Sequence, residues 1–373
     1  MAKIDDSVKK KVPELRFPGF TDDWEERKLN ENVENIGTGR SSFKAGLDYS
    51  EQTPYEVLGS TSVISYSDSF DHSGNFVLTA RVGANAGNLY KHSGNVKISD
   101  NTVYIQSKNL EFIFYLLTKY DLKKLAFGTG QPLIKASELK NLKLFFPKKF
   151  GEQQKIGSFF KQLDETIALH QRKLDLLKEQ KKGYLQKMFP KNGAKVPELR
   201  FAGFADDWEE RKLGEISKMY QPLTITGNDL LPDGVPVFGA NGFIGFFSEA
   251  NHIDDQVTIS ARGEGTGTPS YVHGPVWITG NSMVVNVGDF DIDKYFLFAN
   301  LTANSFKKYV TGGAQPQLTR DVLVKVPITL PNTDEQKKIG AFFKQFDDTI
   351  TLHQRKLDLL KEQKKGFLQK MFV

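Results

Sequence analysis

The chain contains no cysteine among its 373 residues. It therefore forms no disulfide bond, uses no cysteine nucleophile and holds no metal ion by thiolate, a composition that fits a reducing compartment such as the cytoplasm. No apolar run approaches the roughly 20 residues that span a bilayer. Histidine is scarce, with six residues, and none lies in an HExxH motif. These absences argue against metalloproteases, thiol enzymes and integral membrane proteins.

Nucleotide-binding and catalytic motifs are missing as well. The chain has no GK[ST] tripeptide, and the glycine-rich turn 263–267 leads to Pro269 and another strand-like segment rather than a helix. It also lacks the Asn-Pro-Pro-aromatic tetrapeptide that amino-methylating enzymes use. The carboxylate-rich segments 22–26 and 206–210 show no sign of the convergent geometry of a metal site. We expect a binding protein with no catalytic residue, no resident cofactor and no metal.

Charge is only mildly biased, with a formal net charge of +5. Such a balance indicates little beyond solubility unless the positive residues gather on one face. Phenylalanine is abundant, with 29 residues, and most of these lie in strand-like contexts where we expect them in the core.

What the sequence does contain is an internal duplication. Two blocks occur twice, residues 12–29 returning as 196–213 with two changes and residues 151–189 returning as 334–372 with 32 of 39 positions identical. The intervening segments, 30–150 and 214–333, are of nearly equal length and largely unlike each other. Two near-identical frames around two different fillings predict a symmetric scaffold that carries two distinct recognition domains.

Each copy of the longer block predicts one helix of about 35 residues, or about 50 Å. Seam positions recur at alternating steps of four and three, a heptad pattern without proline. The expected helix–helix seam comprises Leu163, Ile167, His170, Leu174 and Leu177 in the first copy and Phe346, Ile350, His353, Leu357 and Leu360 in the second, continuing to Lys181 and Lys364. Leu169, Leu176, Leu352 and Leu359 are predicted to widen the apolar stripe.

A helix with such a stripe must bury it, and the second copy is a partner that the chain itself supplies. We favour an antiparallel pair, because a two-fold axis makes the contacts of the two copies equivalent. In an end-to-end register His170 and His353 would face each other at the axis. They fit polar residues that fix register better than a metal site, since no carboxylate of the seam joins them. The first block, 12–29, should then lie beside Phe372.

The two intervening segments are strand-rich and share one plan. Alternating apolar and polar runs, broken by glycine and asparagine, precede a short helix, at 110–120 in the first segment and 295–304 in the second. A loop and a final strand follow. The landmarks that recur are Gly59 with Gly239, Arg81 with Arg262, Asn101 with Asn281, and Gln131-Pro132 with Gln315-Pro316.

Two loops in each segment carry residues suited to nucleic acid. The glycine-containing loops after Arg81 and Arg262 present backbone amides that can approach a phosphate, although flexible hairpin tips are equally compatible with them. The Gln-Pro loops offer an amide for an adenine edge, but anchoring the final strand explains them somewhat better. The candidate DNA-binding residues are Arg81, Asn85, Asn88, Lys91, Gln131, Arg262, Thr266, Thr268 and Gln315.

The whole chain resembles the specificity subunit of type I restriction-modification enzymes. The resemblance is carried by the duplicated VPELRF-GF-DDWEERKL block, the segment endings GTGQPLIKASELKNLKLFFP and GGAQPQLTRDVLVKVPITLP, and the duplicated helices, in that order twice. It implies two target-recognition domains, each for one half of a split, asymmetric site in double-stranded DNA, and a helix pair that sets the spacer.

The resemblance also implies partners. Two modification subunits would bind the frame and methylate adenine with S-adenosylmethionine, and restriction subunits would cleave DNA with ATP and Mg. The chain itself would be a cytoplasmic, non-catalytic DNA-binding subunit. The alternatives are a coiled-coil adaptor that binds only proteins and, less consistent with the missing motifs, a self-contained nuclease or methyltransferase.

The expected fold class is α+β, with two strand-rich target-recognition domains related by a pseudo-two-fold and separated by an antiparallel pair of long helices. The expected divisions are an N-terminal repeat segment 1–29, domain 30–150, helix 151–190, linker and second repeat 191–213, domain 214–333 and helix 334–373.

Overall fold

The structure is a computed structural model that describes residues 11–40, 46–126, 132–191, 193–312 and 316–373. The chain divides into two compact units, residues 1–171 with 356–373 (unit 1) and residues 172–355 (unit 2). Each unit combines one strand-rich domain with segments of both long helices, so the class is α+β. No helix in the described ranges is both long and apolar enough to cross a bilayer.

Unit 1 is built around one mixed sheet. Its strands are β1 Glu25–Lys28, β2 Asn35–Thr38, β3 Tyr55–Leu58, β4 Val63–Ser67, β5 His72–Ala80, β6 Leu89–Ile98, β7 Thr102–Gln106 and β8 Lys143–Phe146. Its helices are α1 Leu110–Tyr120, α2 Ala136–Asn141 and the first part of α3 Phe150–Lys187, with 3-10 turns at Leu29–Glu31 and Leu122–Leu125. The helix predicted at 110–120 is confirmed.

The sheet of unit 1 has the strand order β2-β7-β5-β6-β3-β4, and β1 pairs separately with β8. Neighbours are antiparallel except β3 and β6, which are parallel. The core against α1 is aromatic: Trp24, Phe112 and Phe160 are each at most 1% exposed, and the ring of Phe372 packs on all three.

Unit 2 repeats this plan. Its strands are β9 Glu209–Lys212, β10 Lys218–Tyr220, β11 Val235–Gly239, β12 Gly242–Phe247, β13 Gln256–Ser260, β14 Pro269–Val272, β15 Trp277–Ile278, β16 Ser282–Asn286 and β17 Pro327–Leu330. Its helices are α4 Lys294–Ala303, α5 Arg320–Leu323 and most of α6 Thr333–Lys370, with 3-10 turns at Leu213–Glu215, Gly227–Asp229 and Lys307–Tyr309.

The sheet of unit 2 differs from that of unit 1 in one strand. Its two parts have the orders β10-β16-β13-β14 and β12-β11-β15, and β9 pairs with β17. β14 and β15 together stand where β6 stands in unit 1, since β14 pairs with β13 and β15 runs parallel to β11. The residues between them include Pro275, which has no amide hydrogen to donate, so the long strand is interrupted there.

Both long helices have 38 residues, close to the expected length. In unit 1 Phe159 of α3 packs on Phe367 of α6, with ring centroids 5.1 Å apart, and further along Lys364 pairs with Asp164. In unit 2 Tyr184 of α3 packs on Phe342 of α6 at 5.0 Å. Lys181 pairs there with Asp347. Residue numbers rise on one helix as they fall on the other, so the segments run antiparallel within each unit.

Burial along the helices follows the heptad pattern at four leucines of the seam, Leu174, Leu177, Leu357 and Leu360, which are at most 9% exposed. The prediction that four further leucines widen the stripe is wrong: Leu169, Leu176, Leu352 and Leu359 are 52–67% exposed. Each of them follows a seam residue by two positions, a rotation of about 200° that turns its side chain away from the seam. His170 lies in unit 1 and His353 in unit 2, and their meeting stays a prediction.

The short repeated block anchors to a helix end in each unit. In unit 1 the amide of Leu15 donates to the carbonyl of Lys370 at 2.9 Å, and Trp24 packs on Phe372, as predicted for the first copy. In unit 2 the amide of Leu199 donates to the carbonyl of Lys187 at 2.9 Å. The same sequence therefore makes the same contact twice.

Candidate nucleic-acid interface

The loop after β5 in unit 1 is fixed by backbone hydrogen bonds. The amide of Arg81 donates to the carbonyl of Asn101 at 2.8 Å, and the carbonyl of Arg81 accepts from the amide of Ile134 at 2.8 Å. The amide of Gly83 donates to the carbonyl of Pro132 at 3.0 Å. The loop is thus held against the start of β7 and against the segment that follows the Gln-Pro position.

The loop after β13 in unit 2 makes the same three bonds. The amide of Ala261 donates to the carbonyl of Asn281 at 2.9 Å, and its carbonyl accepts from the amide of Leu318 at 2.9 Å. The amide of Gly263 donates to the carbonyl of Pro316 at 3.4 Å. The equivalence of Asn101 with Asn281 and of Pro132 with Pro316 is therefore built into the backbone.

These bonds correct the pairing of Arg81 with Arg262. Arg81 occupies the place of Ala261, and Arg262 occupies the place of Val82. Side chains of successive residues in extended backbone point to opposite sides, so a shift of one residue changes the face that an arginine occupies. The two loops share a backbone but place their arginines differently. Val82 is 39% exposed and Arg262 is exposed, so both side chains of this shared position face solvent.

The last glycine of each loop lets it approach a neighbouring segment closely. Gly87 has φ +90°, and a Cβ there would lie 2.7 Å from the amide nitrogen of Lys123. Gly267 has φ +88°, and a Cβ there would lie 3.2 Å from the Cβ of Phe306, directly before Lys307. Only glycine combines this conformation with so close an approach. Each loop consequently lies beside a pair of lysines.

The lysine pairs are a part of the candidate interface that sequence reasoning missed. Lys123 and Lys124 in unit 1, and Lys307 and Lys308 in unit 2, are exposed, and none of them forms an ion pair within the described residues. A signal was present, since the second lysine of each pair stands seven residues before the glutamine of a Gln-Pro dipeptide. Within each unit, two exposed ammonium groups beside a glycine-rich loop form a surface suited to a polyanion.

A hairpin tip completes each interface. In unit 1 the hydroxyl of Ser60, in the β3–β4 turn, donates to the carbonyl of Asn101 at 3.1 Å. In unit 2 the hydroxyl of Ser260 donates to the carbonyl of Ala240 in the β11–β12 turn. Phe243 of that hairpin is 58% exposed.

Several predicted residues lie within these loops. Asn85 and Asn88 are exposed, and the side-chain amide of Asn88 donates to the side-chain oxygen of Asn85 at 3.1 Å. Thr268 is exposed, whereas Thr266 is 8% exposed and its hydroxyl bonds within the loop, to the carbonyl of Gly263 at 2.5 Å. The Thr266 hydroxyl therefore orders the loop rather than facing outward.

The remaining candidates are elsewhere. Lys91 lies in β6, where its ammonium pairs with Glu111 and lies over the ring of Phe114, so the structure does not bring it to the loop surface. Gln131 and Gln315 lie outside the described residues.

The described residues contain no group of three or more His, Asp or Glu placed to hold a metal ion. The histidine that the structure buries most is His252, 8% exposed. Its Nε2 lies 2.9 Å from the Tyr220 hydroxyl and its Nδ1 lies 2.6 Å from the Asn251 side-chain oxygen. That oxygen also accepts from the amide of Ile278, so Nδ1 is the donor to it. Burial lowers the pKa of His252.

This burial predicts that unit 2 loses stability in mild acid. A depressed histidine pKa stabilises the fold above the unfolded-state pKa, about 6.5, and this stability is lost as pH falls toward the native value. Denaturant unfolding at pH 7.5 and pH 5 should therefore show a larger drop in the free energy of unfolding for the wild type than for His252→Gln. Equal pH dependence of the two proteins would contradict the assignment.

Comparison with known proteins shows which family the sequence is similar to. The sequence model described as Type I restriction modification DNA specificity domain matches residues 21–179 and 205–362. The chain is 23% identical over 334 residues to the type I restriction enzyme MjaVIII specificity subunit of Methanocaldococcus jannaschii, covering 79% of this chain and 77% of that protein. It is 24% identical over 273 residues to the putative type I specificity subunit S.MgeORF438P of Mycoplasma genitalium, covering 71% of each.

Solved structures of type I restriction-modification subunits have a similar fold. The crystal structure of the S subunit of a type I restriction-modification system from M. genitalium is similar with a TM-score of 0.74 at 19% identity, over 97% of this chain and 99% of that one. A chain from a structural study of complex assembly and conformational transition in the type I system matches with a TM-score of 0.51 at 16% identity, over 96% of this chain and 99% of that one.

Proposed function

The chain belongs to the type I restriction modification DNA specificity family and is a non-catalytic specificity subunit; from this premise we propose that its two strand-rich domains each read one half of a split, asymmetric DNA site. The observation that carries the proposal is the pair of loops with one backbone and different side chains. Val82 and Arg262 share a position, and so do Asn88 and Thr268. Equal frames with unequal side chains suit two different half-sites.

The side chains at the shared position, Val82 and Arg262, favour different bases. An arginine in the major groove favours guanine through O6 and N7, whereas an apolar side chain favours the methyl group of thymine. Arg262 and Val82 therefore point to different base preferences in the two half-sites. Asn85 and Asn88 add amides that can bind base edges in unit 1.

The lysine pairs supply the contact with phosphates that any DNA sequence offers. Replacing Lys307 and Lys308 by alanine should lower affinity about 30-fold at 0.15 M salt, because each phosphate contact contributes about 0.9 to the salt slope. The slope of log affinity against log salt should fall by about 2. Titration of the methyltransferase complex with labelled DNA over a series of salt concentrations measures both.

A matched control removes the same charge elsewhere. Lys182 and Lys365 are exposed on the long helices, and their double alanine variant should leave the slope nearly unchanged. If this control lowers the slope as much as the Lys307 and Lys308 variant does, net charge and not the loop surface governs binding.

As a specificity subunit the chain works within a complex of several subunits. We propose that two modification subunits methylate adenine with S-adenosylmethionine, and that restriction subunits cleave DNA with ATP and Mg, in the cytoplasm where that DNA lies. The exposed leucines offer apolar docking positions, Leu169 and Leu359 in unit 1 and Leu176 and Leu352 in unit 2. A coiled-coil adaptor without DNA binding is not favoured, since the family is defined by DNA specificity.

Methylome sequencing tests the proposal directly. A host that carries this chain with its modification subunit should gain adenine methylation at one split sequence. Replacing residues 30–150 by the equivalent segment of another family member should change one half of that sequence and leave the other half intact. A change in both halves, or no split motif at all, would overturn the assignment of one half-site to each domain.

A further inference from the structure

A tyrosine of the recognition domain in unit 1 joins both long helices through one carboxylate. Tyr115 of α1 is fully buried, and its hydroxyl donates to Oδ2 of Asp164 on α3 at 2.6 Å. The other oxygen, Oδ1, lies 2.5 Å from the ammonium of Lys364 on α6. That ammonium also lies 5.4 Å from the centre of the Tyr115 ring. Three elements far apart in sequence thus meet at a single side chain.

Unit 2 contains the same arrangement with the helices exchanged. Tyr295 of α4 donates to Oδ2 of Asp347 on α6 at 2.8 Å, and Oδ1 of Asp347 lies 2.5 Å from the ammonium of Lys181 on α3. We call each set of tyrosine, aspartate and lysine a clamp. The aspartates and lysines are equivalent positions of the repeated helices, whereas the tyrosines come from recognition domains of largely different sequence, and each domain nevertheless places a tyrosine hydroxyl on the aspartate.

The clamps explain a feature that coiled-coil packing alone does not. Lys181 and Lys364 occupy seam positions of the heptad pattern, where an ammonium costs stability unless it is paired. Their side chains are only 18% and 24% exposed. The aspartate of the opposite helix supplies the charge, and the tyrosine hydroxyl takes the second carboxylate oxygen, so both oxygens are used. Burial, and then the hydrogen bond to the aspartate, raise the pKa of both tyrosines, which therefore stay protonated donors.

A second contact lies one heptad before each clamp. A Cβ on Gly157 would lie 2.8 Å from the amide nitrogen of Phe112, so α1 begins in close contact with α3. A Cβ on Gly340 would lie 2.1 Å from the side-chain oxygen of Asp293 at the start of α4. Asp164 and Asp347 stand seven residues further along their helices. The glycine contact and the aromatic core hold the start of each short helix against the long helices, and the clamp adds a directional contact two helical turns further along, which fixes the angle of the domain.

We propose that the clamps are positioning elements that hold each recognition domain at one angle to the helices, and so make recognition depend on the length of the gap between the half-sites. This inference rests on the proposed reading of a split site. The clamps touch no DNA, and they act by keeping the loop surface of each domain aligned with its half-site. Loosening them allows each domain to reach half-sites at neighbouring spacings.

The test uses the assembled methyltransferase complex and DNA duplexes in which the gap is one base pair shorter than, equal to, or one longer than the native gap. The wild type should prefer the native gap strongly. The double variant Tyr115→Phe with Tyr295→Phe keeps both rings and removes both hydroxyls. We expect the ratio of affinities for native over altered gaps to fall about tenfold, with half-site sequence preference unchanged. Lys181→Met with Lys364→Met, which keeps the seam packed, should act in the same direction.

The control separates positioning from stability. Tyr90 and Tyr271 are tyrosines of the same domains whose hydroxyls bond within the domain, to the carbonyl of Gly59 and to Asp255. Their double phenylalanine variant should lower the melting temperature comparably and leave the gap ratio intact. An unchanged gap ratio in both clamp variants, with recognition retained, overturns the clamp proposal alone. A wild type without any split-site preference overturns the proposed function instead.

Discussion

Replacing Glu335 by alanine is expected to destabilise the chain by about 3–5 kcal/mol, the usual cost of leaving a buried charge without its partner. Glu335 is fully buried in the first turn of α6, and both of its oxygens accept from Arg200 at 2.7 Å. Arg200 also donates to the carbonyl of Asp206, so the pair ties the repeated block to the start of the helix. Denaturant unfolding measures the loss.

The equivalent change in unit 1, Glu152→Ala, should cost about 1 kcal/mol more. Glu152 accepts from Arg16 at 2.6 and 2.8 Å and also from the indole nitrogen of Trp24 at 3.3 Å. The indole nitrogen of Trp208 in unit 2 has no such partner among the described residues. Glu335→Ala therefore removes the ion pair with Arg200 alone, whereas Glu152→Ala removes both the ion pair with Arg16 and the hydrogen bond from Trp24.

The control for both changes replaces each pair as a whole. Glu335→Leu with Arg200→Met removes both charges and keeps similar volume, so it should be far less destabilising than Glu335→Ala. If the double variant is as unstable as the single one, lost packing rather than an unpaired guanidinium explains the effect.

The periodic parts of the molecule were predictable from sequence. The heptad pattern indicated both long helices, and because the two helices are nearly identical, antiparallel pairing followed from symmetry. The exposed leucines show the limit of that reasoning. Leu169 and its three counterparts are apolar, and apolar character alone suggested burial, but their angular position about the helix places them outside the seam.

The candidate interface was predictable in outline only. Arginine after a strand and glycine after arginine identified two loops that share one backbone, but short dissimilar segments can be aligned with a slip of one residue. Only the backbone bonds, Ala261 to Asn281 and Arg81 to Asn101, show that Arg262 stands where Val82 does. The clamps were beyond sequence reasoning, because Tyr115, Asp164 and Lys364 come from three distant segments and carry no motif.

Deleting one heptad from each long helix should shorten the gap in the recognised DNA by about 3 base pairs, or abolish recognition. Seven residues at 1.5 Å each span about 10.5 Å, and base pairs rise by about 3.4 Å. Residues 168–174 and 351–357 are equivalent in the repeat, and removing both keeps the heptad pattern on each helix. The pairs Lys364–Asp164 and Lys181–Asp347 lie outside the deleted residues, so each unit keeps its own helix contacts.

Methylome sequencing of hosts carrying the deletion reports the new gap. Duplicating the same two heptads is the matched control, and it should lengthen the gap by a similar amount. A change of about 3 base pairs also turns one half-site about the DNA axis by roughly 100°, since a turn takes about 10.5 base pairs. The altered proteins should therefore recognise their new sites less tightly than the wild type recognises its own. If deletion and duplication both leave the gap as it was, the helices do not set the distance between half-sites, and each recognition domain must find its half-site independently of their length.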